Sequence, residues 1–276
     1  MSFDFMFAKY KIDVQTIRAL KHTFEVQYQM LIPELDFEGK RQSVRPSLKA
    51  LVHGARDRHG VLDGAMLQNY TFPTGQDGDY DVFISHSHDD KDSAEVLASW
   101  LENCCHLRVF LDSYVWRSAD GLLLEIDKLH CRKRNGDYIY GRRNYSTSHV
   151  HAMLSMAIMD IINKTECCIF IESNNSIDLN RLDNTSRAKT LSPWIYEELT
   201  MMRLLPSRGS RREVRYFSSI ADSRLHESLE ALRIRHSVDL RDFGTLSVQD
   251  LLSLYDQGYH GLNSLYHRAT NIDFFD

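Results

Sequence analysis

Apolar positions fall into two patterns along the chain. Short apolar runs closed off by polar residues recur at YDVFISHS (80–87), LRVFLD (107–112) and CCIFIE (167–172). Each predicts a strand buried on both faces, as in a parallel sheet. Between them, apolar residues return at helical spacing. Ala94, Val96, Leu97 and Leu101 predict a helix over about 93–102 with acidic residues at its start. A helix is expected to start near Asp120, and HAMLSMAIMDIIN predicts another over 151–163. PWIYEELTMMRLL (193–205) opens on Pro193, a favoured first-turn residue. The order strand, helix, strand predicts a βαβ unit with a right-handed crossover.

The flanks read differently. Ile17, Leu20, Phe24, Val26, Tyr28 and Leu31 predict a helix ended by Pro33, and a second helix near Pro46 carries Leu48, Leu51 and Val52. Residues 1–70 are therefore expected to form a helical extension, regulatory or assembly-forming, docked on the rest of the chain. TFPTGQDGD (71–79) reads as a linker, with the α/β domain over 80–276. The C-terminal third is weaker: a strand at 213–217, helices at 222–232 and 247–268, and a short stretch near Val238. No internal repeat is apparent.

At 276 residues the chain is long enough to bury a core without disulfides. No stretch approaches about 18 apolar residues, so a membrane span is not expected. The N-terminus lacks a secretory pattern, and the five cysteines, in two adjacent pairs plus Cys131, read as reduced thiols. A cytoplasmic location is the expectation. With 33 basic and 38 acidic residues the net charge is −5, which argues against nucleic acid as the main partner but leaves room for a local basic patch.

YDVFISHSHDDKDSAEVLASWLE (80–102) resembles the first strand, loop and helix of Toll/interleukin-1 receptor (TIR) domains, bacterial ones especially. LRVFLDSYVWRSADGLLLEID (107–127) resembles their second strand, BB loop and following helix. CCIFIES resembles the third strand, and SPWIYEEL (192–199) their serine–tryptophan–glutamate–leucine motif. The resemblance implies a flavodoxin-like α/β fold with a central parallel sheet and one of two roles. Many bacterial, plant and neuronal members cleave NAD+; many animal members only assemble. It implies NAD+ as substrate with no bound cofactor, homo-oligomers through the BB-like loop, and a defence-system partner protein.

In enzymatic members the catalytic glutamate lies four residues after the motif tryptophan, which here gives Trp194 and Glu198. Helix geometry supplies a separate check. Ile195, Leu199 and Met202 form one apolar stripe; Glu198 lies roughly 65° from its centre and Glu197 about 165° away. Glu198 is thus expected at the core edge and Glu197 in water. Trp194, on the same face as Glu198, offers an aromatic plane to a cationic ring such as nicotinamide. A positioned carboxylate suits the oxocarbenium character that develops on ribose, and nicotinamide leaves neutral without a general acid.

His86 and Ser87, in the tetrad Ser85–His88 that ends the first strand, are candidates to contact the cofactor-like substrate, because ligands of open α/β sheets bind at strand carboxyl ends. Capping of the next helix would explain them equally. A single HxH lacks a third ligand, so no metal is expected. Asp112 to Gly121 is expected to be a gating and assembly loop presenting Tyr114, Val115 and Trp116, and Leu122 matches a family position near the nicotinamide end. Residues 129–148 depart from the family as an insertion with Arg132, Lys133, Arg134, Arg142 and Arg143 around DYIY. They read as a solvated hairpin, or as a surface for phosphate or single-stranded nucleic acid. A second insertion covers 174–190. The leading expectation is an NAD+-cleaving enzyme of antiphage defence; the alternatives are a non-enzymatic adaptor and a nucleoside-processing hydrolase.

Overall fold

A computed structural model describes residues 7–33, 47–72, 80–178, 188–205 and 234–256. Five strands form one wholly parallel sheet: β1 (Ala8–Asp13), β2 (Val82–Ser85), β3 (Val109–Leu111), β4 (Cys167–Glu172) and β7 (Gly244–Thr245), in the order β3-β2-β4-β1-β7. Parallel strands need crossovers and helices on both faces. The strands alternate accordingly. Val82, Ile84, Val109, Leu111, Ile169 and Ile171 face one core, which α1 (Val14–Tyr28), α4 (Lys91–Cys104) and α8 (Val248–Asp256) cover. Phe83, Phe110, Cys168 and Phe170 face the other. That core is covered by α2 (Leu48–Gly54), α3 (Gly64–Thr71), α5 (Ser113–His130), α6 (Tyr140–Lys164) and α7 (Pro193–Leu204). The arrangement is the α/β architecture expected, consistent with a flavodoxin-like fold. A small antiparallel pair, β5 (Ala188–Thr190) with β6 (His236–Val238), lies apart from the sheet.

The N-terminal region corrects the sequence reading. It does not precede the α/β domain as a helical extension, because β1 lies inside the sheet, paired with β4 from Ala8↔Cys167 to Asp13↔Glu172 and with β7 beyond it. Its signal was present: Ala8, Tyr10 and Ile12 alternate with Lys9, Lys11 and Asp13. The lysines disguise it. Lys11 pairs with Glu172 at 3.1 Å, and the Lys9 ammonium, whose proton affinity burial lowers, lies over the Phe243 ring. Asp13 then caps α1 by accepting from Thr16 N at 2.8 Å. α1 stops at Tyr28, before Pro33, where Gln29 turns left-handed (φ 52°). Ile17, Leu20 and Phe24 are buried, but Val26, off that stripe, is 64% exposed and Leu31, beyond the helix end, is 78% exposed. A chain starting at Gly78 would lack an interior strand of the sheet. It is expected to be insoluble or unfolded by circular dichroism; a soluble product with native helix content would contradict this role for β1.

Two further differences concern the site. The predicted loop Asp112–Gly121 is helical, since α5 begins at Ser113 directly after β3. The side chains of residues 114–117, Trp116 among them, lie outside the described part. The stretch 129–148 is a tight turn followed by the first turns of α6, which starts at Tyr140 rather than near residue 151. Of the insertion 174–190, residues 179–187 are outside the described residues, as are the linker from 73 to 79 and the strand and helix expected at 213–217 and 222–232. The cysteines are free thiols, with Cys167 and Cys168 facing opposite cores. Among the described residues no helix is long and apolar enough to cross a membrane.

Candidate active site

Four buried polar side chains gather at the carboxyl ends of β2 and β3. Ser85 ends β2, His86 follows it, Asp112 follows β3, and Glu198 projects from α7. The carboxyl end of a parallel sheet is where such groups can meet, because adjacent strands stop in register there: Ile84 pairs with Leu111. Glu198 is carried in by its helix. Ser192 caps α7 by accepting from Ile195 N, Pro193 occupies the first turn, and Ile195, Leu199 and Met202 pack into the core. One turn from Ile195, Glu198 is drawn in with them and is 1% exposed.

Ser85 Oγ donates to Glu198 Oε2 at 2.6 Å. His86 Nδ1 lies 2.7 Å from Asp112 Oδ1, and both side chains are buried. Burial and then the negative charge of Asp112 push the Glu198 carboxyl well above the ordinary glutamate range, against the Ser85 hydrogen bond, which favours the ionised form. Burial opposes charge on His86, but Asp112, with the Ile84 backbone and the charge of Asp90, together outweigh it and the proton affinity of His86 is raised. The cluster therefore holds its protons unequally: a carboxyl that resists ionisation beside an imidazole that favours it.

Two acids preceding helices are turned away from capping. Asp112 occupies the position before α5 but makes no cap bond, its carboxylate being directed to His86. Asp90 likewise does not cap α4; it accepts from Ser173 Oγ and from Asn175 Nδ2 at 3.0 Å, tying the end of β4 to the loop after β2. Both still place negative charge at a helix N-terminus, where the helix dipole favours it.

No family model matches the chain, and no curated protein or solved structure matches it. Glu198 and His86 both lie against Asp112 in this cluster. Ser87 lies next to them, half-buried, its side chain capping nothing. Trp194 sits one turn before Glu198 on α7, its ring edge-on to His151 at 5.1 Å. Leu122 is a fully buried core residue of α5. His88 is exposed while His86 turns inward, so the HxH pair does not converge.

Glu197 departs from expectation. It is half-buried rather than in water, its carboxyl pushed upward by burial and hydrogen-bonded to Ser155 of α6. The helical wheel assumed one buried face, but the long α6 packs along a second side of α7. The sequence reading did not single out Asp112 or Asn175. An acid directly ending a buried apolar run, as in LRVFLD, was the available signal for Asp112.

Proposed function

We propose that this protein is an NAD+ glycohydrolase of TIR type. It would cleave the nicotinamide–ribose bond to give nicotinamide and ADP-ribose, or a cyclic or conjugated ADP-ribose, in bacterial antiphage defence. The observation that carries the proposal is Glu198: a buried carboxyl, hydrogen-bonded by Ser85, at the ligand-binding end of the sheet, with Trp194 one turn away. In the reaction the C1′–N bond breaks and its electron pair passes to the pyridinium nitrogen, releasing neutral nicotinamide. The cation left on ribose is stabilised by the Glu198 carboxylate until water adds and gives up a proton. The raised proton affinity of Glu198 fits a cationic substrate, because a positive ring beside the carboxyl favours its ionised form. An adaptor would gain nothing from a carboxyl whose burial costs stability.

The test is incubation of the purified protein with NAD+, with nicotinamide and nucleotide products resolved by chromatography and mass. Absence of nicotinamide release at every protein concentration would remove the proposal. Glu197→Gln is expected to retain most of the activity, since its carboxyl is engaged by Ser155 rather than by Ser85. Glu198 is 1% exposed, and TIR-type pockets are often completed by a BB-like loop from a second copy. Specific activity is therefore expected to rise with protein concentration. A constant specific activity over a wide range, with a monomeric active species, would contradict this.

A further inference from the structure

The turn joining α5 to α6 has a twin in the turn joining α2 to α3. In the first turn of the chain Asp63 N donates to Ala55 O, Asp57 N to Val61 O and Gly60 N to Asp57 O, at 2.9, 2.9 and 3.0 Å. In the second, Ile139 N donates to Cys131 O, Lys133 N to Asp137 O and Gly136 N to Lys133 O, at 2.7, 2.7 and 3.1 Å. The bridges Arg56↔Leu62 and Arg132↔Tyr138 correspond as well. Each turn needs a glycine at positive φ, Gly60 (82°) and Gly136 (94°). The sequences ARDRHG and CRKRNG share a small residue, then Arg-x-Arg-x-Gly, an internal repeat too short for the sequence reading to find.

The two turns lie together. α2 packs on α5 so closely that a Cβ at Gly121 would come 2.7 Å from Leu48 Cδ1. Arg56 of one turn and Arg142 beside the other both approach His130 and, after burial, lower its proton affinity. Their cations are exposed at Arg56, Arg58, Arg132, Lys133, Arg134 and Arg142, with Arg142 held by donation to His130 O and Arg58 by donation to His59 Nε2, each at 3.0 Å. Their acids are engaged locally. Asp57 accepts from His59 N and Val61 N, Asp63 caps α3, Asp137 accepts from Asn135, and Asp127 is buried against Arg143. Arg132 and Arg143 lie over the Tyr138 ring at 5.5 and 5.1 Å, which orders them before any ligand arrives. Tyr140 and Tyr145, on the first turns of α6, are 74% and 70% exposed.

We infer that the paired turns are a binding surface for single-stranded nucleic acid, with the arginines on successive phosphates and Tyr140, beside the second turn, available for base stacking. Arginine forks match phosphate oxygens two at a time, and exposed aromatics accept bases of any sequence. The surface is separate from Glu198. Tyr140 is eleven residues up α6 from His151, the residue against Trp194, or about 16 Å at helical rise.

The experiment is fluorescence anisotropy of the full chain with a labelled mixed-sequence single-stranded oligonucleotide at several salt concentrations. Affinity is expected to fall with salt, and the log–log slope to shrink by about 0.7 for each arginine–phosphate contact removed. The double variants Arg56→Ala/Arg58→Ala and Arg132→Ala/Arg134→Ala should each weaken binding about tenfold or more. Their circular dichroism and Tm should stay unchanged, since the side chains are exposed. Glu198→Gln should bind as the wild type does, so the result stands or falls apart from NAD+ cleavage. No binding at low salt, or variants that bind like the wild type, would overturn the inference. So would duplex of the same length binding as tightly, or polyglutamate competing as well as the oligonucleotide.

Discussion

Glu198→Gln is expected to lower nicotinamide release from NAD+ by about 10²–10³-fold, the effect of removing one preorganised electrostatic group, while making the protein more stable. The two outcomes share one cause. Burial and the charge of Asp112 keep the Glu198 carboxyl protonated in the folded state at pH values where the unfolded chain ionises it. A carboxyl raised in this way costs no stability at low pH, where both states are protonated. It costs progressively more as the pH climbs past the ordinary glutamate value towards the folded one. Glutamine has nothing to ionise and still accepts from Ser85. The Tm advantage of Glu198→Gln over the wild type should therefore grow with pH, each 1 kcal/mol appearing as about 2–4 °C in a domain of this size. Wild-type cleavage should rise with pH in the same range, as Glu198 gains its charge. A variant that is both inactive and less stable across this range would show that Glu198 is structural. Retained activity would remove it from the chemistry.

How far the sequence exposes such a site depends on whether burial leaves a mark in local pattern. β2, β3 and β4 are legible because a strand covered on both faces must be apolar throughout, and VFIS, VFL and CCIFIE are nearly so. β1 lacks that mark: its second face carries Lys9 and Lys11, whose partners Phe243 and Glu172 are far away in the sequence. The start of α5 is hidden by the resemblance, which assigns Asp112–Gly121 to a BB loop, whereas the segment is helical and Gly121 serves close approach to Leu48. The same limit governs the site. Glu198 is legible because its stripe lies within one helix. Asp112 becomes meaningful only when β2 and β3 bring it to His86 across 26 residues, and Glu197 is misplaced because α6 is invisible to a wheel drawn for α7.

Asp112 should consequently matter as much to the fold as Glu198 does to the chemistry. Its carboxylate faces a buried imidazole, and deleting one member of a buried pair leaves the other without compensation, at about 3–5 kcal/mol. Asp112→Ala is therefore expected to lower Tm by about 6–20 °C. Asp112→Asn, which keeps the shape and an acceptor for His86, should recover part of that loss while still removing the charge. The pH dependence separates the two effects. Because Asp112 raises the proton affinity of His86, the pair's contribution is complete below the ordinary histidine value and fades as the pH rises through the raised one. The Tm gap between wild type and Asp112→Asn should narrow over that rise. The same charge lifts the Glu198 carboxyl, so in Asp112→Asn the rising limb of NAD+ cleavage should move to lower pH. Thermal melts over a pH series, with pH–rate profiles of both proteins, measure the two shifts together. An unmoved limb with a constant Tm gap would mean that Asp112 serves packing alone and that the charges of His86, Asp112 and Glu198 are not linked.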